Sequence, residues 1–299
     1  MKFYILDAFT DTLFGGNPAG VVILEKGADF PDDEVMRKTA AELRYSETAF
    51  IKQTAEKEFQ IRYFTPAAEV DLCGHATIGS FFALADAKLV SFDSSCICNT
   101  LAGRLNIDLF KDSVLMDMGV PEAINKITER EALHELYAIM GISEEKQGEI
   151  PAGEKLGSNL IPEMISTGLP DIMMPVRNEK ELDAITPDFA ALTKLSEKYE
   201  VVGVHAFTIN TEDGAVHCRN FAPLYDIDEE AATGTSNGAL TYYLYKNGLI
   251  KDGAETLFIQ GEAMKRPSRI RSRLTVSTVN VKIQVGGSAV ILATGEINL

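Results

Sequence analysis

The chain contains two segments with one shared pattern, Arg62-Tyr-Phe-Thr-Pro66 followed by Gly74-His-Ala-Thr-Ile-Gly79, and Arg219-Asn-Phe-Ala-Pro223 followed by Gly234-Thr-Ser-Asn-Gly238. Each segment reads Arg-x-Phe-x-Pro, a connecting loop, and a glycine that begins an apolar run. No formally charged residue occurs at positions 72–85 or 231–245, so each predicted helix is apolar on every side and must be buried. Both helices are too short to span a bilayer, and the repeat therefore predicts two related halves, each with strands around one central helix.

The starts of these two helices are candidate binding sites for an anionic group. A helix start exposes backbone N–H groups and the positive end of the helix dipole, which here lie at Gly74 and Gly234. If the two halves face each other, both starts converge on one cleft. The alternative interpretation is two ordinary buried helices with small residues at their starts.

The composition limits the classes of partner and of cellular location. The 299 residues favour two domains, and the net charge of −16 opposes nucleic acid and anionic lipid as general partners. No apolar segment has the length of a signal-peptide core or a membrane span, which predicts a cytoplasmic protein. The four cysteines are predicted to be free thiols, and the four histidines lack paired spacing, so the sequence predicts no metal site.

Glu47 and His75 are candidate proton-transfer residues. Glu47 lies at the start of an apolar strand, where lost hydration would raise the pKa of its carboxyl towards the range useful for proton transfer. His75 follows Gly74 at a helix start, where the positive potential favours a neutral imidazole. The alternative interpretations are an exposed edge glutamate and a capping or core histidine.

Cys73 is a candidate thiol base, because a thiol at a helix start has a lowered pKa. A thiol-based epimerase would need a second thiol at the matching place in the other half. That place reads Glu230-Ala-Ala-Thr-Gly234 and contains no cysteine, so a two-thiol racemase loses most of its support. Glu230 and Thr235 are the polar groups that the second half offers.

Further motifs lie along the chain in a fixed order: Asp7-Ala-Phe-Thr10, Phe14-Gly-Gly-Asn-Pro-Ala-Gly-Val21, Ser46-Glu-Thr-Ala-Phe50, Asp71-Leu-Cys-Gly-His-Ala-Thr77, Arg219-Asn-Phe-Ala-Pro223, Ala232-Thr-Gly234, and Gln260-Gly with Arg266-Pro-Ser-Arg269. Together they resemble the phenazine-biosynthesis PhzF-like isomerase family over essentially the whole chain. The resemblance implies an α+β, diaminopimelate-epimerase-like fold of two pseudo-symmetric halves. Each half would be a strongly curved, mostly antiparallel, barrel-like sheet around one central buried helix, with the active site in the cleft between the halves.

The resemblance also implies where the halves divide, because the last strand of such proteins returns to the N-terminal half. We expect an N-terminal half of residues 1–118 plus 288–299, with its central helix at 75–87. The C-terminal half would comprise residues 119–287, with its central helix at 235–247. The family is commonly homodimeric, which predicts a homodimer here.

The family's namesake isomerises 2,3-dihydro-3-hydroxyanthranilate without a cofactor and uses a glutamate as acid and base. By motif position that glutamate is Glu47, and the family histidine is His75. The second-half pattern Glu-Asp-Pro-Ala-Thr-Gly-Ser of the family reads Glu229-Glu-Ala-Ala-Thr-Gly-Thr235 here. Carboxylate and hydroxyl are kept, but their reach changes, which leaves the substrate of the namesake in doubt.

The sequence therefore predicts a cofactor-independent isomerase that moves a proton and a double bond in a small carboxylate-bearing substrate. The predicted catalytic residues are Glu47, His75 and Glu230, and the predicted substrate-binding residues are Asn17, Gly74, Ala76, Gly234, Thr235 and Ser236. The alternatives are a one-thiol amino-acid epimerase that uses Cys73, and a small-carboxylate binding protein without turnover.

Overall fold

The computed structural model describes residues 1–142, 150–151, 159–278 and 280–299, and its chain divides into two units. Unit 1 comprises Met1–Asp117 and Gly286–Leu299, and unit 2 comprises Met118–Val285. Both units combine helices with sheets that contain parallel as well as antiparallel strand pairs. The fold is therefore α+β with mixed sheets and few helices.

Among the described residues, unit 1 has ten strands or helices before the chain enters unit 2 and one strand after it returns. Their bounds are β1 Lys2–Ala8, β2 Asn17–Ile23, α1 Asp33–Leu43, β3 Thr48–Ala55, β4 Glu58–Phe64, β5 Glu69–Val70, α2 Gly74–Asp86, β6 Ser94–Thr100, β7 Gly103–Leu109, β8 Val114–Asp117 and, after unit 2, β20 Ala289–Glu296. β1 pairs antiparallel with β2 and β20, β2 parallel with β3, β3 antiparallel with β4, β4 parallel with β6, and β6 antiparallel with β7.

Unit 2 contains the remaining elements. Their bounds are β9 Glu122–Lys126, α3 Arg130–Ile139, β10 Ile150–Pro151, β11 Asn159–Leu160, β12 Glu163–Ser166, β13 Pro170–Pro175, α4 Glu179–Asp183, α5 Phe189–Tyr199, β14 Val204–Thr208, β15 Val216–Ala222, β16 Ile227–Glu230, α6 Gly234–Lys246, β17 Glu255–Gln260, β18 Ser268–Val276 and β19 Val281–Gly287, the last of which leads back into unit 1. From β12 to β18 the pairings are antiparallel, parallel, antiparallel, parallel and antiparallel, the same order as from β1 to β7.

Helices α2 and α6 are buried within their own units. α2 packs against β1, β2, β3, β8 and β20, and α6 packs against β12, β13 and β18. The ring of Phe81 on α2 meets the ring of Phe59 on β4 edge to face, with centroids 5.9 Å apart. The acidic residue of α2, Asp86, lies at its last position and accepts a hydrogen bond from Tyr4. Strands on several sides thus cover the apolar surface of each helix.

The repeated Arg-x-Phe-x-Pro motif has one structural role in both units. Arg62 forms two hydrogen bonds with Glu69, at 2.7 and 2.6 Å, and its guanidinium lies 5.2 Å from the ring centroid of Phe64. Arg219 forms two hydrogen bonds of 2.8 Å with Glu229 and lies 4.9 Å from the ring of Phe221. Such bidentate pairs fix orientation as well as distance, so each arginine holds the loop that leads to the buried helix. 

The described residues include no helix that has both the length and the apolar character needed to cross a membrane.

Gly203 provides a test of the strand packing in unit 2. A Cβ atom at Gly203 would lie 1.8 Å from the carbonyl oxygen of Phe221 on the neighbouring strand. We expect Gly203→Ala to lower the free energy of unfolding by about 3 kcal/mol, because backbone on both strands must move. Gly79→Ala is the control, since its Cβ would meet Leu6 at 3.8 Å, and alanine favours a helix by about 0.5–1 kcal/mol. Urea unfolding of both variants measures the difference, and equal stability would contradict this account of β14 and β15.

Candidate active site

Three element starts meet in unit 1 and bring the predicted residues of that unit together. Asn17 begins β2, Glu47 directly precedes β3, and α2 begins at Gly74. β2 and β3 are parallel with Gly20 opposite Thr48, so their first residues lie at the same edge of the sheet. Because α2 packs against β2 and β3, His75 in its first turn reaches that edge.

His75 is the centre of this cluster. Its Nε2 lies 3.2 Å from Glu47 Oε2 and 3.4 Å from Ser46 Oγ, and its Nδ1 lies 3.2 Å from Asn17 Nδ2 and 3.4 Å from Cys73 Sγ. The side chain of His75 is 5 % exposed and that of Glu47 is 18 % exposed. The carboxylate is therefore the part of the pair that a ligand entering from solvent can reach.

The electrostatics of Glu47 and His75 differ from both sequence-based expectations. Burial alone would raise the pKa of Glu47, but His75, with smaller effects of Ser46 and Cys73, outweighs it and lowers that pKa. Burial alone would lower the pKa of His75, but Cys73 and Glu47 outweigh it and raise that pKa well above its ordinary value. The expectations of a raised pKa for Glu47 and of a neutral imidazole for His75 were thus wrong. The resting pair is a carboxylate and an imidazolium, each favouring the charged form of the other.

The expected lowering of the Cys73 pKa was also wrong. Burial, together with the charge of Glu47, raises the pKa of the Cys73 thiol to about 11. Cys73 is the residue that precedes α2, so the helix dipole does act on it, but loss of water and a neighbouring carboxylate act more strongly. The protein therefore carries a neutral thiol at this position.

The predicted residues of unit 2 lie around the start of α6. Thr233 Oγ1 donates to Glu230 Oε2 at 3.0 Å, and Thr235 offers its carbonyl oxygen to Thr167 Oγ1 at 2.9 Å. Gly234 begins α6 and is buried, while Thr235 is half-buried. In unit 1 the corresponding Gly74 is half-buried and Ala76 is fully buried. Within the described part of the chain, no side chain caps the N-terminus of α2 or of α6 by a hydrogen bond.

Ser236 lies in a buried polar network, a placement that its sequence position did not reveal. Its hydroxyl donates to a carboxylate oxygen of Asp171 and accepts from Asn220 Nδ2 at 3.2 Å, and Asn220 Nδ2 lies 3.3 Å from His205 Nδ1. Burial raises the pKa of Asp171 to about 6, against hydrogen bonds that lower it, and burial lowers the pKa of His205 to about 4. The hydroxyl of Ser236 is thus engaged inside unit 2.

Gln260 holds the loop that carries Glu230, and the sequence analysis assigned it no function. Its Nε2 donates to the Glu230 carbonyl at 2.7 Å and to Thr233 Oγ1 at 3.0 Å, and its Oε1 accepts from Asn237 Nδ2 at 2.9 Å. In the same loop, the Ala231 carbonyl accepts a 2.6 Å hydrogen bond from Ser268 Oγ. The role of the motif Gln260-Gly with Arg266-Pro-Ser268 as a support of this loop follows only from these contacts.

Gly261 explains why this motif contains a glycine. Its φ is +80°, and a Cβ there would lie 2.4 Å from the Arg266 carbonyl oxygen and 2.7 Å from that of Ala231. Only glycine allows the two backbone segments to approach this closely.

One group of side chains has the composition of a metal site. Ligand atoms of Glu47, Cys73 and His75 lie within 4.8 Å of one another, and no second group of three His, Cys, Asp or Glu residues meets that test in the described ranges. The sequence offered no signal for this group, because Glu47 is distant in the chain from the other two residues.

Comparison with known proteins identifies the relatives of the chain. The family model described as phenazine biosynthesis-like protein, PhzC-PhzF, matches residues 6–295. An uncharacterized isomerase of Clostridium acetobutylicum is 32 % identical over 100 % of this chain and 98 % of its own length. A Bacillus anthracis PhzF-family structure has a TM-score of 0.85 at 24 % identity, covering 100 % of this chain and 99 % of that one. A probable proline racemase from Agrobacterium radiobacter has a TM-score of 0.64 at 12 % identity, covering 100 % and 93 %, and shows similarity of fold alone.

Asp171 gives unit 2 a dependence of stability on pH. Because its pKa is raised from 3.8 to about 6, the folded state binds a proton more tightly than the unfolded state, and stability falls as pH rises through this window. We expect Asp171→Asn to remove the loss, so that its stability relative to the wild type grows by about 3 kcal/mol between pH 4 and pH 7. Denaturant unfolding over this pH range measures the change. Asp228→Asn, an exposed control with the same change of charge, should give a flat difference.

Gln260→Leu tests the support of the Glu230 loop. Leucine keeps the volume but leaves the Glu230 carbonyl and Asn237 Nδ2 without this partner, and each unsatisfied buried group costs about 1–3 kcal/mol. We expect a loss of about 3 kcal/mol in the free energy of unfolding, measured by urea titration. The exposed residue Gln60, changed to leucine in the same way, should cost less than about 0.5 kcal/mol. Equal losses in the two variants would refute the role of Gln260.

Proposed function

The chain belongs to the phenazine biosynthesis-like PhzC-PhzF family, and we propose that it is an isomerase that moves a proton and a double bond in a small carboxylate-bearing substrate without a cofactor. The observation that carries the proposal is the Glu47–His75 pair, in which a partly exposed carboxylate lies 3.2 Å from a buried imidazole. A carboxylate that is ionised at neutral pH can accept a proton, and an imidazolium beside it can donate a hydrogen bond.

In the proposed reaction Glu47 is both base and acid. Its carboxylate removes a proton from an activated C–H group, and the electron pair left on carbon is delocalised into the adjacent double bond. The carboxyl group of Glu47 then returns the same proton to another carbon, so the double bond shifts while atoms and charge balance. General acid–base catalysis of this kind contributes about 10²–10⁴-fold, and the remainder must come from positioning of the substrate.

The lowered pKa of Glu47 favours a site in which His75 stabilises charge. A carboxylate with a low pKa is a weak base, so the developing negative charge on the substrate needs stabilisation in the transition state. His75, held as an imidazolium with its ring buried, provides a preorganised donor for that charge. An imidazolium donates from both ring nitrogens, so the amide oxygen of Asn17 would face Nδ1.

We propose that the substrate carboxylate binds at an uncapped helix start. Anions bind to the backbone N–H groups of a first helical turn. Such groups are present in α2 at Gly74 and Ala76, and in α6 at Gly234 and Thr235. Glu230 would steer polar groups of the substrate, with Ser236 and Asn17 as further contributors. A substrate that resembles 2,3-dihydro-3-hydroxyanthranilate is the proposal that the family suggests.

The equal order of strand pairings supports the further proposal that the two units are pseudo-symmetric halves, each with a curved sheet around its buried helix. The homodimer and the cytoplasmic location expected from the sequence stay predictions.

A one-thiol epimerase is the alternative with a structural argument in its favour. Cys73 Sγ lies next to His75, and the fold is similar to that of a probable proline racemase. The raised pKa of Cys73 opposes this alternative, because only the thiolate is an effective base. A binding protein without turnover would be stabilised by a small carboxylate but would exchange no substrate proton.

Glu47→Gln distinguishes these functions. Glutamine keeps the shape but cannot accept the proton, so we expect turnover to fall about 10²–10⁴-fold while the fold is retained. The measurement is NMR in D₂O of deuterium uptake and double-bond position, with a panel of small unsaturated amino and hydroxy acids that includes 2,3-dihydro-3-hydroxyanthranilate. Turnover of Glu47→Gln near the wild-type rate would refute the proposal. A loss in Cys73→Ser as large as that in Glu47→Gln would favour the epimerase instead.

A further inference from the structure

The cluster of Glu47, Cys73 and His75 combines the three ligand types that zinc prefers. Thiolate sulfur, imidazole nitrogen and carboxylate oxygen are the usual protein ligands of Zn²⁺, and sites with three protein ligands keep a fourth position for water or a small molecule. Here one atom of each type lies within 4.8 Å of the other two. All three residues are held at element starts in the same unit, so the atoms converge without a change of the fold.

We propose that Glu47, Cys73 and His75 bind a Zn²⁺ ion, and that the zinc-bound form of the enzyme is inactive. Tetrahedral bonds of about 2.0–2.3 Å separate a nitrogen from an oxygen ligand by about 3.3 Å and from a sulfur ligand by about 3.6 Å. The observed separations are 3.2 Å between His75 Nε2 and Glu47 Oε2, and 3.7 Å between His75 Nε2 and Cys73 Sγ. Two of the three separations are thus already those of a zinc tetrahedron.

A buried oxygen without a hydrogen bond supports the assignment independently. Glu47 Oε2 is buried and forms no hydrogen bond with the described residues, although it lies 3.2 Å from His75 Nε2. A buried acceptor in this state is costly, and a cation bound to it would remove the cost.

The surroundings of the cluster suit a bound ion. Asn17 lies 3.2 Å from His75 Nδ1, and a partner on the far ring nitrogen is what orients a histidine towards a metal on Nε2. On binding, the Cys73 thiol and His75 Nε2 would each release a proton to solvent, because a coordinating thiol is deprotonated and a coordinating imidazole is neutral. The sulfur ligand favours Zn²⁺ over Mg²⁺ and Ca²⁺, which prefer sites made of oxygen atoms.

Zinc and substrate would exclude each other. The ion would occupy the carboxylate oxygen that accepts the proton and the ring nitrogen that donates the hydrogen bond, so neither could act on a C–H group. The binding rests on the geometry of the cluster alone, whereas the loss of turnover rests on the proposed isomerase function.

The test measures metal binding separately from turnover. Reduced, metal-free protein is titrated with zinc chloride in competition with a chromophoric chelator, and with cobalt chloride as a coloured substitute for zinc. We expect one ion per chain, and a thiolate-to-cobalt charge-transfer absorption in the near ultraviolet. Cys73→Ser should weaken zinc binding by about 100-fold or more and abolish that absorption. Cys96→Ser is the matched control, because Cys96 is an equally buried thiol on β6 outside the cluster.

Each outcome decides one point. Wild-type affinity in Cys73→Ser, or bound cobalt without a charge-transfer band in the wild type, would show adventitious surface binding and overturn the site. Thermal melting shows whether Cys73→Ser is folded, and Glu47→Gln provides a second variant that should weaken binding. Where turnover is measurable, zinc should inhibit the wild type and Cys96→Ser over the concentration range in which it binds, and a chelator should restore activity. Absence of turnover in every protein would count against the proposed function and leave the metal titrations to decide the site.

Discussion

The burial of two helices that carry no charged side chain along most of their length is the constraint on which the structure depends. An apolar surface on every side of a helix is stable in water only when other elements cover it, and in unit 1 strands β1, β2, β3, β8 and β20 do so around α2. This burial places the helix start beside the starts of the neighbouring strands. The position of His75 next to Glu47 is thus a consequence of core packing.

The chemistry of the candidate site depends on the mutual interaction of two buried groups. Each of Glu47 and His75 would be driven towards its neutral form by burial if it were alone, but together they favour the charged pair. In the proposed reaction, the imidazolium of His75 would compensate for the low pKa of the Glu47 carboxylate by stabilising negative charge in the transition state. Burial, together with the charge of Glu47, raises the pKa of the neighbouring Cys73.

Unit 2 supports its predicted residues by hydrogen bonds between side chains and backbone. Gln260 and Ser268 hold the loop of Glu230 from two strands, and Gly261 permits their close approach. The hydroxyl of Ser236, at the start of α6, is held by its hydrogen bond to the buried carboxylate of Asp171. The change of reach at Glu230, relative to the family pattern, is therefore made on a firmly held loop.

The sequence by itself determined the family, through motifs that are local and ordered, and the family model confirms it. It also indicated where the uncharged runs lie, because absence of charge is visible residue by residue, and the observed helices α2 and α6 begin at Gly74 and Gly234. It could not determine the protonation states of Glu47, His75 and Cys73, and the local arguments from strand start and helix dipole gave the wrong sign for all three. Only the tertiary structure decides these states, because a charge about 3 Å away across the chain acts more strongly in a buried site than the dipole of one helix.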